Sequence, residues 1–491
     1  MRTITTIVRP WLLGILAAAA AISIAANTKS APVIAADRSP YSVTDFGAKG
    51  DGTTLDSNAI NSAIAAAATA GGGTVRFPAG TYLTGSIHLK SNIALYLDAG
   101  ATIEAASPAS GGVYDPPEPN PAAGQFQDFG HTHFHNSLIW GENLENVSIL
   151  GPGRIWGQGL TSGENGPAGD GYKSICLKLC RNVILRDFTI QHGGWFGILA
   201  TGVDNLTIDN LKIDTNRDGM DIDCCRNVHV SNCTVNSPND DGICLKSSYG
   251  LGFARATENV SITNCLVCGF NEGSVLDGTY QHAPFTDSNK DRPTGRIKFG
   301  TESNGGFINI AISNCVFENC CGLALESVDG ATLEDVTISN ITMRDIVNAP
   351  IFLRLGGRLR GPAGTVVGTL KRINISNITV YNADRRNGCI ISGIPGNDIE
   401  DVHLSNIQIW YRGGGTASDA SIVPGELVRD YPDPSRFGTM PSYGMFVRHV
   451  KRITFDNIEL HTLTPDARPA YAFSDVSDIK ASGSDGVTPT R

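Results

Sequence analysis

Apolar and polar residues alternate in short runs that return along the chain. NLTIDNLKI ends at Ile213, NVHVSNCTV at Val235, NVSITNCLV at Val267 and NIAISNCVF at Phe317. DVTISNITM, RINISNITV, DVHLSNIQI and RITFDNIEL close at Met343, Val380, Ile409 and Leu460. Each run sends apolar residues to one face, reaches an Asn, and continues into a second short strand. The recurring Asn positions are Asn210, Asn232, Asn264, Asn314, Asn340, Asn377, Asn406 and Asn457. One such unit cannot bury its own apolar face, so eight of them predict a stacked solenoid. Period-two alternation predicts strands, and the stretches between runs leave no room for crossover helices. The fold class is therefore all-β: a single-stranded, right-handed parallel β-helix. The Asn at each corner suits a ladder of side-chain hydrogen bonds from coil to coil. Insertions between repeats fall in loops on one side.

An exposed solenoid end invites further strand pairing and needs a cover. Asp56 is an N-cap candidate, SNAINSAIAAAATA reads as a helix, and Gly71-Gly72-Gly73 stops it. The expected organisation is one β-helix domain over residues 40–480 with a disordered tail at 481–491. Segment 106–135 is a long Pro- and Gly-rich loop. Its His131, His133 and His135 read as polar groups lining a cleft more readily than as a metal set, because no carboxylate partner stands near them in sequence.

Composition narrows the function classes. A formal charge of −10 and a pI near 5.5 disfavour nucleic acid as a partner. Arg2 and Arg9 precede and flank an apolar run, Trp11 to Ala26, that ends in small residues. Residues 1–26 are expected to be an export signal, short for a bilayer span, with a retained anchor as the alternative. The mature protein is then expected to be secreted or periplasmic, off the membrane and monomeric. Of the 12 cysteines, Cys233, Cys265 and Cys315 recur at one place in the repeat and should stack in the core as small hydrophobes. No cysteine spacing predicts a metal site.

Two segments are dense in acid: DTNRDGMDID (Asp214 to Asp223) and SPNDDGICLKSS (Ser237 to Ser248). Asp218 and Asp240 each lie 8 residues after a ladder Asn, so they are expected at equivalent places on consecutive coils, about 4.8 Å apart. Asp241 adjoins them. Like charges at this range raise at least one pKa, which glycoside hydrolysis requires: one carboxylic acid protonates the leaving oxygen while a carboxylate activates water. Asp-Gly turns at Asp218-Gly219 and Asp241-Gly242, or a calcium site, are alternative readings of the same residues.

With these motifs in view, the chain resembles glycoside hydrolase family 28, the pectin-degrading polygalacturonases, whose fold is the pectin lyase-like solenoid. The resemblance runs from FGAKGDGTTLDSNAINSAI through the Asn repeats. Asn216-Arg217-Asp218 is similar to the family's Asn-Thr-Asp motif, and Asp240-Asp241 to its Asp-Asp pair. The resemblance implies Asp240 as general acid, Asp218 and Asp241 as holders of the attacking water, and inversion at the sugar; the sequence itself gives no sign of a cofactor or a metal site. Inversion requires about 6.5–9.5 Å between acid and base carboxyls. The family's Gly-His-Gly motif has no match. Glu272 stands 8 residues after Asn264, where that His belongs, and His282 is a possible substitute. The family's Arg-Ile-Lys motif should align with GLALES, where Glu326 is acidic. A literal Arg296-Ile297-Lys298 occurs one coil early, as a rearranged cleft.

Further substrate-binding candidates are Asn216, Arg354 (with Arg358 and Arg360 nearby) and Trp195, the last as a sugar-stacking platform or a structural residue, with His192 beside it. The expected substrate is a pectic polysaccharide or oligosaccharide, polygalacturonan or rhamnogalacturonan. Two other classes stay open: a polysaccharide lyase or epimerase on the same scaffold, and a glycan-binding solenoid without catalysis.

Overall fold

The computed structural model describes residues 40–107, 113–161, 170–282 and 292–487. The expected export signal at 1–26 lies outside the described residues. Among the described residues, 32 strands join in one continuous set of pairings. The strand Asp218–Asp223 pairs in parallel with Phe196–Thr201 on one side and Ile243–Ser247 on the other. The same relation repeats coil after coil, giving a parallel β-helix.

Period two decides what fills it. Along one inner column Val228, Val260, Ile310, Val336 and Ile373 stack in register, each no more than 3% exposed. Branched side chains pack well on a pleated surface, and burying each contributes about 1.5–3 kcal/mol. In another column Cys233, Cys265 and Cys315 are continued by Ile341 and Ile378. The cysteines thus fill a place that isoleucine fills elsewhere, and all twelve are buried thiols.

The Asn corners carry the ladder. Asn232, Asn264, Asn314, Asn340 and Asn377 all adopt φ between 55° and 57°, a left-handed conformation that Asn tolerates better than other side-chain-bearing residues. Asn340 donates to Asn314 at 3.1 Å and accepts from Asn377 at 3.1 Å. A second ladder runs parallel to it: Asn182, Asn205, Asn227, Asn259 and Asn309 are linked at 2.8–3.1 Å. It was equally readable, since these are the Asn residues that open many of the repeats.

The helix Ser57–Thr69 buries Ile60, Ala63, Ile64 and Ala67, an i, i+3, i+4, i+7 stripe, against the first coils. Asp56 precedes it as expected but does not cap it. Its carboxylate instead accepts from the backbone N–H of Lys49 and Gly50 at 2.8 and 3.0 Å. At the far end the last strand, Tyr471–Ser482, runs into the start of the expected tail. No helix among the described residues is long and apolar enough to cross a membrane.

Candidate active site

Strand register builds the site. Gly219 N–H donates to Asp241 O and Met220 pairs with Ile243, so Asp218 stands level with Asp241 and not with Asp240. This corrects the expected equivalence. Asp214 pairs with Asn236, and from there Asp218 is four residues on while Asp241 is five. The turn Ser237–Asp241 therefore holds one extra residue, which displaces Asp240 toward the cleft.

The three carboxylates do converge: one oxygen of each lies within 4.8 Å of the others. One water making two hydrogen bonds of about 2.8 Å bridges such a gap. Their surroundings differ. Asp240 keeps 26% of its side chain exposed, and Arg217 Nη2 donates to its Oδ2 at 2.7 Å. Asp241 is buried, with Arg296 Nε on Oδ1 at 2.8 Å and Lys298 Nζ on Oδ2 at 3.1 Å. Burial alone raises the Asp241 pKa, but Lys298 and Arg296 outweigh it and hold it at about 2. Asp218 is buried with its Oδ1 unpartnered. Burial first, then Asp221 and Asp240, push its carboxyl well above the ordinary range. The site thus pushes two adjacent carboxyls apart in acidity, Asp218 upward and Asp241 downward.

A fourth carboxylate, Asp221, was not foreseen. It is fully buried on the outward side of the strand that carries Asp218. His131 Nε2 lies 3.3 Å from it and Lys246 Nζ 3.6 Å. Burial raises its pKa, with Lys246 and His131 pulling the other way. Lys246 also meets Glu302 at 3.0 Å. The signal was present: in DGMDID, Asp221 and Asp223 alternate with the inward Met220 and Ile222. His131, from the 106–135 loop, is buried against Asp221. The calcium reading fits poorly, because two buried cations already occupy Asp241.

The RIK segment lies on the coil directly after Asp241, with Ile297 paired to Ile243. Arg296 and Lys298 are only 3% and 2% exposed and serve Asp241 and Glu326. Tyr431, from the loop after Tyr411, covers Lys298 at 5.4 Å and accepts from it at 3.2 Å. Tyr431 gave no sequence signal, since 133 residues separate it from Lys298.

Other expectations are corrected. Glu272 does not complete the coil after Asp241, because Gly295 and Arg296 do. It pairs instead with His192 at 3.0 Å, raising the His192 pKa. Both side chains line a cavity of about 480 Å³ together with Asn216 and Trp156. His282 bonds Asn319 at 3.1 Å and packs edge-on against Phe270, with no hydrogen bond to the carboxylate cluster. Trp195 is 2% exposed, beneath the Arg217 guanidinium at 5.1 Å, so its ring is no open stacking platform. Arg354 is 1% exposed and spends its guanidinium on the carbonyls of Gly393, Glu426 and Leu427 at 2.8–3.0 Å. It clamps a loop and is not available to a sugar carboxylate. Arg358 and Arg360 are likewise engaged, Arg358 with Asp329 and both with Glu302.

Comparison with known proteins agrees with this architecture. The family "Rhamnogalacturonase A/epimerase, pectate lyase-like" matches residues 41–133, and "Right handed beta helix region" matches residues 160–289. A probable polygalacturonase of Vitis vinifera is 23% identical over 82% of this chain and 81% of its own. An exo-poly-alpha-D-galacturonosidase of Dickeya chrysanthemi is 23% identical over 86% of this chain and 75% of its own. The solved family 28 exopolygalacturonase of Yersinia enterocolitica superposes with a TM-score of 0.66 at 19% identity, covering 90% of this chain and 78% of that one. The chain is a right-handed parallel β-helix with the fold of the family 28 polygalacturonases, and it resembles proteins of that name in sequence over more than four fifths of its length.

Proposed function

We propose that the protein is an exported glycosidase that hydrolyses α-glycosidic bonds of a pectic polysaccharide, with inversion at the cleaved sugar. The observation that carries hydrolysis is the three-carboxylate cluster, in which Asp218, Asp240 and Asp241 meet within 4.8 Å yet sit in unlike environments. Inversion comes from the family resemblance, since this spacing of nearest oxygens is shorter than the carboxyl separation usual for inverting enzymes. The relatives named polygalacturonase and exo-poly-alpha-D-galacturonosidase support a pectic substrate.

Asp240 reaches the open cleft; once substrate separates it from Arg217, a proton taken from solvent passes through its carboxyl to the leaving oxygen. Water sits between Asp218 and Asp241. Asp241, kept ionised by Arg296 and Lys298, takes the proton as water attacks the anomeric carbon. Asp218, whose carboxyl burial pushes upward and so favours in its protonated form, donates a hydrogen bond that orients that water. A lyase would need a neutral Lys or Arg as base. Lys246 and Lys298 run the other way: burial lowers both, but the surrounding carboxylates win and raise them well above the ordinary lysine value.

Asp240→Asn tests the assignment. It removes the proton donor without altering volume, and the side chain is partly exposed. Turnover should fall at least 10²-fold, the usual worth of a general acid, with melting temperature and substrate binding unchanged. Turnover within a few-fold of the parent would remove Asp240 from the mechanism.

A further inference from the structure

Charges around Arg296 and Lys298 do not close on Asp241 alone. Glu326, from the next coil, is fully buried against the same two cations, at 4.0 Å from Arg296 and 3.8 Å from Lys298. Those distances exceed the 2.8 and 3.1 Å to Asp241. Both Glu326 oxygens and Arg296 Nη1 lack hydrogen-bond partners among the described residues. The other groups facing Glu326 are Asp241, Asp433 and Tyr431, with Arg354 on the following coil. Tyr431 is 42% exposed and its ring lies over Lys298 at 5.4 Å, covering the pair from the solvent side.

Among the described residues, only the carboxylates of Asp241 and Glu326 lie within 4.0 Å of Arg296 and Lys298. With both ionised, two negative charges match the two positive ones, and a sugar carboxylate would be a third anion at that range. With Glu326 neutral, one positive charge is left uncompensated, which is what one uronate carboxylate needs. We propose that Glu326 is a specificity-determining residue of this cleft: protonated, it leaves the Arg296–Lys298 pair free for the carboxylate of an acidic sugar, and ionised, it competes with that sugar. The inference rests on the hydrolase reading of the same site.

Burial raises the Glu326 carboxyl, against the pull of Lys298 and Arg296, to about 7, so both forms are populated near neutrality. An anion bound beside Glu326 favours its protonated form. Binding above pH 7 must then take up a proton from solvent, and binding well below pH 7 takes up none.

The test is calorimetric titration of the wild-type chain with digalacturonate at pH 5.5 and pH 8, in two buffers of different ionisation enthalpy, with reducing-end release from pectic glycans measured alongside. The expected result is uptake of about one proton per site at pH 8 and almost none at pH 5.5. Affinity should fall about tenfold per pH unit above 7, the limit for a ligand that binds only the protonated form. Glu326→Gln should flatten that dependence. Equal affinity at both pH values without proton uptake, or no binding at either, overturns the role of Glu326 even where reducing ends are released. Absence of reducing ends from every pectic glycan overturns the hydrolase reading itself.

Discussion

At the scale of single residues, the account depends on unequal carboxylates. Asp241→Asn would leave Arg296 and Lys298 buried with only Glu326, and breaking a buried pair from one side costs about 3–5 kcal/mol. Denaturant unfolding should show a loss of that size, and a loss below 1 kcal/mol would mean the pair is not holding Asp241. Glu326 acts on stability with the opposite sign. Its folded value of about 7 lies above the ordinary 4.5, so the native state binds more protons than the unfolded chain in between. Stability should therefore decline as pH rises from about 4.5 to 7, by up to about 3 kcal/mol. Melting scans of Glu326→Gln should lack this slope. The acidic residues of the cluster were legible because Asp in a repeat position is conspicuous, and Asp221 was reachable by the same period-two reasoning. The stacking role of Trp195 and the sugar-binding role of Arg354 fail for one physical reason. Both sit on or beside outward-facing strands, and sequence does not tell which outward side chains are later covered by insertion loops.

At the scale of elements, the Asn corners are the most regular feature and were read from spacing alone. Asn340→Ala would lose one donated and one accepted hydrogen bond and force alanine to φ near 57°. With about 1 kcal/mol per hydrogen bond and 1–2 kcal/mol for the left-handed backbone, the expected cost is about 2–4 kcal/mol by thermal unfolding. Asn340→Gly, which relieves the backbone, should recover part of it. The register at the site was not legible. A single extra residue in the turn Ser237–Asp241 moves Asp240 out of line with Asp218, and ladder spacing counts residues without seeing turns. A loop joins the cleft in the same unreadable way. Arg354 and Arg448 donate to the carbonyls of Pro424 through Leu427, and that anchored segment leads to Tyr431. Arg354→Met should free it, seen as faster proteolytic cleavage between residues 420 and 435 and a raised KM, with the coils themselves intact. An unchanged cleavage pattern would refute the clamp.

At the scale of the whole molecule, the solenoid makes a rigid wall from stacked Val, Ile, Leu and Cys, and insertions on one face turn that wall into a covered cleft. The wall was readable because each repeat states its own inside and outside. The cleft was readable only where a coil carried its own charge signature, as at RIK, and its partners across more than a hundred residues were not. The central claim is hydrolysis of a pectic glycan by the Asp218–Asp240–Asp241 cluster. The most direct measurement is reducing-end release from polygalacturonan and rhamnogalacturonan, with ultraviolet absorbance of unsaturated sugar recorded in the same samples, for wild type and Asp240→Asn. New reducing ends are expected from at least one glycan, with no unsaturated product and with loss of the signal in the variant. Unsaturated product, or reducing ends that persist in the variant, would contradict that claim.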